Sequence, residues 1–207
     1  MREFPRFILA SRSPRRCELL REAGYQFDVV VPPLHEPPVT ADTITPTQLA
    51  EALAYFKAKV VQGQHPQRLI LAADTIVAHG RQLYGKADDE AQARRILSAL
   101  SGTRHEVITG VCILLPPPAP TSQCPEWRLL ASDVTYVTMR PLSQAQLDAY
   151  IASGEWRDKA GAYAIQETGD AFVQKLEGSL SNVVGLPMEL VERMFDRLRP
   201  HLPATKQ

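Results

Sequence analysis

The sequence has no hydrophobic run long enough to cross a membrane. Of its 207 residues, 44% are hydrophobic and 22% are charged. No segment approaches the ~20 consecutive apolar residues that a membrane-spanning helix needs. The amino terminus, MREFPRFILASRS, places a proline and charges where a signal peptide would have a continuous apolar core. We therefore expect a cytoplasmic globular protein without a membrane partner.

An excess of charge of either sign is also missing. Lys and Arg together number 23, as do Asp and Glu, so the formal net charge is zero. A strongly basic surface is what drives non-specific binding to nucleic acid. The balance, together with the absence of a recognition-helix pattern, argues against a nucleic-acid partner. Any anion site must come from a local cluster of cations.

Cysteine is scarce, and histidine is scattered. Cys17, Cys112 and Cys124 are widely spaced, without a CxxC pair or a nearby group of histidines. This pattern excludes a disulfide framework and a structural zinc site. No serine stands in a nucleophile-elbow context, so the sequence gives no support for a serine-centred triad.

Helix and strand signals alternate along the chain. FILA predicts a short buried strand, and Ser13, Pro14 and Gly24 suit the cap, first residue and terminator of a helix. Thr45, Pro46 and Gln48 form a capping-box pattern for a second helix. We expect the apolar stripe of that helix to be Leu49, Leu53, Phe56 and Val60, with Lys57 beside it.

The remaining segments complete a mixed α/β pattern. RLILAADTIV reads as a strand before a turn at His79 and Gly80, and HEVITGVCILL and WRLLASDVTYVTMR read as long paired strands. Helices are predicted from about Asp88, from Ser143 to Gly154, and from Pro187, with strands at AIQ and AFVQKL. The expected fold is an α/β sandwich on a mixed sheet, elongated into two lobes.

Three arginines crowd the start of the first predicted helix. Arg12, Arg15 and Arg16 lie where the helix dipole is already positive, so they do not help local stability. They could form a phosphate or carboxylate site together with the unpaired amides of the first turn. The alternative is a solvated helix start whose long side chains only cover apolar surface.

A carboxylate interrupts the apolar run RLILAADTIV. Asp74 follows five apolar residues and precedes Thr75 and two more apolar residues. A buried carboxylate is costly unless it is paired, hydrogen-bonded or bound to a cation. At a strand position facing a cleft it could hold a metal ion or act as a base. Alternatively, it bonds to the backbone of its own turn.

Other polar residues are less informative singly. Glu36, Lys57 and Lys86 belong to types that are usually found on the surface. The stretch RDKAGAYAIQ combines small residues with Asp158, Lys159 and Gln166, and an amide can read the imide edge of a pyrimidine because it both donates and accepts. The same stretch could instead turn a corner and begin a strand.

Six segments of the chain together resemble the Maf family of nucleoside triphosphate pyrophosphatases. They occur in the order found in that family: LASRSPRRCELL, AADTIV, GK, LSGTRHEVITGV, DKAGAYAIQ and NVVGLP. The resemblance implies hydrolysis of a nucleoside triphosphate to its monophosphate and pyrophosphate with Mg²⁺ or Mn²⁺. It also implies a single domain over residues 1–207, similar to inosine triphosphatases, with a nucleotide cleft between two lobes and often a homodimer.

The resemblance also assigns roles to individual residues. Asp74, Lys86 and Glu36 fall on catalytic positions of the family, and a divalent cation is expected on Asp74 and Glu36. The positions that correspond to substrate binding are Ser11, Arg15, Arg16, Lys57, Thr75, Asp158, Lys159 and Gln166.

Three of these positions distinguish branches of the family. The branch that acts on dTTP and UTP is similar to this chain in having Arg15, Thr75 and Gln166. The branch resembling 7-methyl-GTP pyrophosphatase has an aromatic residue in place of the arginine and an acidic residue near Gln166. We therefore expect dTTP, UTP or modified pyrimidine nucleotides as substrates. The alternative is a non-enzymatic regulator of cell division that only binds nucleotide.

Overall fold

A seven-stranded mixed sheet organises the part of the chain that the computed structural model describes, residues 4–33, 44–116, 127–165 and 168–201. The strand order is β2-β1-β3-β5-β6-β7, and the short β4 also pairs with β3. The strands are β1 (Phe7–Ala10), β2 (Phe27–Val30), β3 (Ile70–His79), β4 (Gln82–Tyr84), β5 (Arg104–Leu114), β6 (Arg128–Met139) and β7 (Val173–Glu177). The mixed α/β class expected from the sequence is confirmed.

The two edges of β3 differ. Along one edge β5 pairs antiparallel with β3 from Ile70 to Ala78. Along the other edge, β1 pairs in parallel only as far as Ala72, and β4 begins pairing only at Val77. Residues 73–76 of β3 therefore face a gap in which no strand of the described chain pairs with this edge. Asp74 and Thr75 lie in this gap.

In the described part of the chain, six α-helices flank the sheet. They are α1 (Pro14–Glu22), α2 (Pro46–Gln64), α3 (Glu90–Leu100), α4 (Gln144–Ser153), α5 (Leu180–Val184) and α6 (Met188–Leu198). The capping box predicted for α2 is present, with the Thr45 side chain and Gln48 exchanging hydrogen bonds, and α4 has the same motif at Ser143. Gly154 ends α4 in the left-handed conformation, which glycine adopts without steric cost.

The face of α2 that packs on the sheet differs from the predicted stripe. Leu49 and Leu53 are buried, but Phe56 is 54% exposed. Alanines complete the buried face, and they let the helix backbone approach the sheet closely. A Cβ atom at Gly110 of β5 would lie 2.3 Å from the carbonyl carbon of Ala50 in α2. Hydrophobicity alone placed Phe56 on the buried face of α2, whereas close packing on the sheet requires small side chains on that face.

Apolar clusters cover both faces of the sheet. On one face α1 and α6 pack against Leu71 and Ala73 of β3. On the opposite face α2 packs against Ile70 and Ala72. Successive strand residues point to opposite faces, so Asp74 shares a face with α2 and Thr75 shares a face with α1.

Some local predictions were wrong by a residue or more. The cap of α3 is Asp89 rather than Asp88, and Pro187 caps α6 instead of being its first residue. Ala164 and Ile165 do not form the strand predicted at AIQ, and Gln166 lies outside the described residues.

No helix in the described ranges is both long and apolar enough to span a bilayer.

Candidate active site

A cavity of about 400 Å³ opens at the gap beside β3. Its walls come from the loop between β1 and α1, from β3, from α2, and from the segments around Lys86, Asp158 and Val184. The described residues that line it include seven cations and two carboxylates: Arg12, Arg15, Arg16, Lys57, Lys86, Arg157, Lys159, Asp74 and Asp158. A chain with no net charge thus concentrates positive charge here, as an anion site requires.

Asp74 is paired with a lysine from α2. The carboxylate is almost fully buried, and the Nζ of Lys57 donates a hydrogen bond to its Oδ1. Both residues lie on the face of the sheet where α2 packs. The ion pair explains how a carboxylate is accommodated within an apolar strand, because burial of a charge requires a partner.

Arg16 joins three parts of the cavity wall from the opposite face. Its Nε donates to the carbonyl of Gly185 at 2.7 Å, and Nη1 donates to the carbonyl of Ala73 at 2.8 Å. Nη1 also lies 3.3 Å from the hydroxyl of Ser11, and Nη2 lies 3.0 Å from that of Thr75. The Ala73 carbonyl is accessible to Arg16 because β1 has already ended. The guanidinium is therefore held in a fixed position by hydrogen bonds to the cavity wall.

The other arginines at the start of α1 are more open to the cavity. Arg15 is half-buried, with its Nε 3.4 Å from the carbonyl of Val184, and Arg12 is exposed. Ser13 caps the helix by backbone conformation, and its side chain makes no capping bond. The backbone N–H groups in the first turn of α1 and the guanidinium of Arg15 therefore both direct positive charge into the cavity.

The opposite rim is formed by residues 157–165. Asp158 is exposed, and its carboxylate lies 3.6 Å from the Nζ of Lys86. Lys159 is only 5% exposed although it lines the cavity. Beyond this rim the wall becomes apolar. Its lining residues there are Val77, Val107, Tyr163, Ala164, Ile165 and Val183. The cavity thus has a cationic part and an apolar part.

His105 stands behind the apolar part. Its Nε2 lies 2.8 Å from the hydroxyl of Tyr163, and both side chains are buried. Burial, together with the nearby charge of His79, lowers the pKa of His105 to about 4. Burial also raises the pKa of Tyr163. Both groups are therefore neutral near pH 7.

The fit of a divalent cation depends on donors beyond the described residues. Among the ranges 4–33, 44–116, 127–165 and 168–201 there is no group of three or more His, Cys, Asp or Glu side chains that could hold a metal ion. The cavity offers Asp74, with Asp158 at the rim. A carboxylate together with phosphate oxygens is a donor set that Mg²⁺ accepts. Within these ranges, a metal ion would therefore be held by Asp74 together with phosphate oxygens of a bound polyphosphate.

Comparison with known proteins decides the family. A family model described as Maf-like protein matches residues 6–198. The chain belongs to the Maf family. A dTTP/UTP pyrophosphatase of Paramagnetospirillum magneticum is 42% identical over 191 residues, covering 91% of this chain and 95% of the relative. One from Deinococcus radiodurans is 42% identical, with 92% of each chain covered, and one from Anaeromyxobacter dehalogenans is 43% identical, with 96% and 97% covered.

A solved structure gives a weaker similarity. The Staphylococcus aureus Ham1 protein aligns over 96% of this Maf chain and 100% of its own, with a TM-score of 0.42 and 11% sequence identity. The assignment to the Maf family rests on the family model and on the curated relatives, and it confirms the family resemblance that the sequence motifs indicated.

Most of the predicted site residues of this Maf protein lie together. The cavity lining includes Ser11, Arg15, Arg16, Lys57, Asp74, Thr75, Lys86, Asp158 and Lys159. Glu36 and Gln166 lie outside the described residues, so their roles stay predictions. The sequence reasoning gave no role to Arg157, although it begins the quoted stretch RDKAGAYAIQ, and none to residues 183–185, although NVVGLP was one of the quoted family segments.

Proposed function

We propose that this Maf protein hydrolyses dTTP and UTP, or modified pyrimidine nucleotides, to the nucleoside monophosphate and pyrophosphate. The observation that carries the proposal is the composition of the cavity: seven cations and two carboxylates stand beside an apolar wall. A triphosphate matches the cationic part, and a nucleoside matches the apolar part. The names of the relatives support the same substrates.

The triphosphate would lie between the start of α1 and the far rim. We assign phosphate contacts to Ser11, Arg15, Lys86 and Lys159, and Arg15 offers two-pronged bonding to phosphate oxygens. Arg16 would act mainly by holding Ser11 and Thr75 in place, because its guanidinium already bonds to four oxygens. Positioning and electrostatic stabilisation are the main sources of rate acceleration in phosphoryl chemistry.

Asp74 would align the attacking water. The water oxygen bonds to the α-phosphorus, the bond from that phosphorus to the α,β-bridging oxygen breaks, and pyrophosphate leaves with the bridging oxygen. The proton lost by the water passes to the Asp74 carboxylate and from there to solvent. Lys57 places a positive charge beside this carboxylate before the substrate arrives. Lys86, at the rim, would stabilise the charge that develops on the departing pyrophosphate.

We further propose that a divalent cation, Mg²⁺ or Mn²⁺, completes the site. Glu36 would hold it together with phosphate oxygens of the substrate, and Asp74 would be a ligand as the alternative to its role as the base. Such an ion would supply charge neutralisation on the phosphates. The single-domain arrangement with a cleft between two lobes and the homodimer also stay proposals, and the continuous seven-stranded sheet supports the first.

Pyrophosphate release tests the enzymatic proposal. The purified protein would be assayed with a panel of nucleoside triphosphates, with Mg²⁺ or Mn²⁺, and compared with Asp74→Asn. We expect the substitution to lower turnover by roughly 100-fold or more, because it removes the proton acceptor. Asp148→Asn is the matched control, since Asp148 pairs with Arg94 on α3 and does not line the cavity. Nucleotide binding without pyrophosphate release under all conditions would favour the non-enzymatic regulator.

Substitution of Gln166 tests the pyrimidine preference. A glutamate in this place can only accept hydrogen bonds when ionised, whereas an amide also donates to the pyrimidine edge. For Gln166→Glu we expect kcat/KM for dTTP and UTP to fall by at least about tenfold relative to purine triphosphates. The ratio cancels any general loss of active protein. An unchanged ratio would remove Gln166 from base recognition.

A further inference from the structure

The rim segment of residues 158–163 has a strained backbone. Asp158 and Ala162 have φ angles of 61° and 58°, in the left-handed region that residues with a Cβ atom rarely adopt, and Gly161 has a φ of 70°. Conformations of this kind persist only where surrounding contacts hold them. The segment carries Asp158 and Lys159 into the cavity, so these contacts determine where the two charges stand.

Two sets of hydrogen bonds tie the segment to other elements of the fold. At its centre the N–H of Gly161 donates to the carbonyl of Gly85 at 3.0 Å, and Ala160 forms an isolated antiparallel bridge with Lys86. At its end the hydroxyl of Tyr163 bonds to His105 of β5. The first set ties the rim to the segment that bears Lys86, and the second ties it to the central sheet.

The hydrogen bonds of His105 fix the direction of the second contact. Thr103 gives its one hydroxyl hydrogen to the carbonyl of Leu100 at 2.8 Å, so towards the imidazole its oxygen can only accept. The tautomer that suits this oxygen, which lies 3.5 Å from the Nδ1 of His105, carries its proton on Nδ1. Nε2 is left as an acceptor, and the Tyr163 hydroxyl donates to it.

His105 does not line the cavity, whereas Tyr163 does. The imidazole is 1% exposed, and its hydrogen bond to the Tyr163 hydroxyl links it to a residue of the cavity wall. His105 can therefore influence the reaction through the position of this neighbour.

We propose that His105 is a positioning residue that holds the strained rim through Tyr163, so that Lys159 and Asp158 are placed to act on the polyphosphate. This rests on the proposed function for its effect on turnover, but the anchoring itself does not. The hydrogen bond matters because the rim has an unfavourable backbone conformation that relaxes when an anchor is lost.

Steady-state kinetics with four variants tests the proposal. Tyr163→Phe and His105→Phe remove one partner each, and we expect each to lower kcat by about tenfold while changing KM by less than about threefold. The double variant should lose no more than either single one, because both remove the same bond. His105→Gln keeps an acceptor at the position of Nε2 and should stay within about threefold of the wild-type kcat.

Gln62→Leu provides the control for a merely structural effect. Its side-chain amide donates to the carbonyl of Leu115 at 3.2 Å, in a buried position of α2 that does not line the cavity. This variant loses that buried hydrogen bond and the one that Gln62 accepts from Lys59, and its kinetics should match the wild type once folded protein is counted.

Amide hydrogen exchange in the nucleotide-free protein tests, independently of activity, whether the Tyr163–His105 hydrogen bond anchors the rim. We expect faster exchange over residues 158–163 in Tyr163→Phe, and unchanged exchange there in Gln62→Leu. Unchanged exchange in Tyr163→Phe together with a kcat within about twofold of wild type would overturn the proposal. A wild-type protein that releases no pyrophosphate would instead refute the proposed function, and the exchange data would still decide whether the anchor exists.

Discussion

At the scale of single residues, two buried charges of the cavity wall are compensated by defined groups. Asp74 has Lys57, and Arg16 has two carbonyls and two hydroxyls. These partners come from elements that are distant in the chain. The charges therefore help to specify how the elements meet, because a misplaced element would leave a buried charge without its partner.

Lys57→Met tests the role of the buried pair. The methionine fills similar volume but leaves the Asp74 carboxylate without its ammonium partner, so we expect a loss of about 3 kcal/mol in the free energy of unfolding. Urea denaturation monitored by circular dichroism measures this. The double variant Lys57→Met/Asp74→Asn should regain much of the loss because the buried charge is gone, and it should remain inactive. A double variant no more stable than Lys57→Met would contradict this account.

At the scale of elements, the distance between α2 and the sheet sets the geometry of the pair. α2 carries Lys57, and it approaches the sheet closely where Gly110 of β5 faces Ala50. Gly110 is the register partner of Asp74. The absence of a side chain on one strand thus lets the helix come near enough for its lysine to reach the carboxylate on the next strand.

Gly110→Ala should separate α2 from the sheet. The new Cβ would lie 2.3 Å from backbone atoms of Ala50, so the helix must shift. We expect a loss of about 2 kcal/mol or more in unfolding free energy and a marked fall in turnover as Lys57 moves. Gly63→Ala is the matched control in α2, where a Cβ meets nothing within 4 Å. That variant should keep its activity, and its free energy of unfolding should rise by up to about 1 kcal/mol.

The same elements show how far sequence reasoning reaches. Caps and turns are local chemistry, so the starts of α1, α2 and α4 and the β5–β6 hairpin could be predicted. The buried face of α2 could not, because it depends on Gly110, a residue of another element. The motifs singled out residues of which most line one cavity, but the sequence could not show that Arg16 is bonded within the wall or that His105 stands behind Tyr163.

At the scale of the whole molecule, charges are distributed unevenly although the chain has no net charge. The cavity gathers cations, while ion pairs such as Arg94–Asp148 and Arg104–Glu177 lie outside its lining. The overall field is therefore weak, and attraction for a polyanion is local. Salt should weaken nucleotide binding less steeply than it weakens the binding of basic proteins to nucleic acid.

Stability should depend on pH through His105. Its pKa falls from an ordinary 6.5 to about 4 on folding, so the unfolded chain takes up a proton first as the pH drops. The stabilisation of about 3 kcal/mol is complete above pH 6.5 and is lost as the pH falls towards 4. Urea midpoints between pH 7 and 4.5 measure this. His105→Gln should flatten the dependence, and a profile as steep as that of the wild type would exclude His105 as its source.

The parallel pairing of β1 with β3 affects which folding states of the chain can bind a nucleotide. Ile8 pairs with Ile70, although α1, β2 and α2 intervene in the chain, whereas β5 and β6 are consecutive strands. The part of the cavity beside the start of α1 thus exists only after contacts between distant parts of the chain, with a large loop-closure cost, have formed. A nucleotide therefore recognises only the completely folded molecule, and saturating ligand should raise the melting temperature of the entire sheet as one unit.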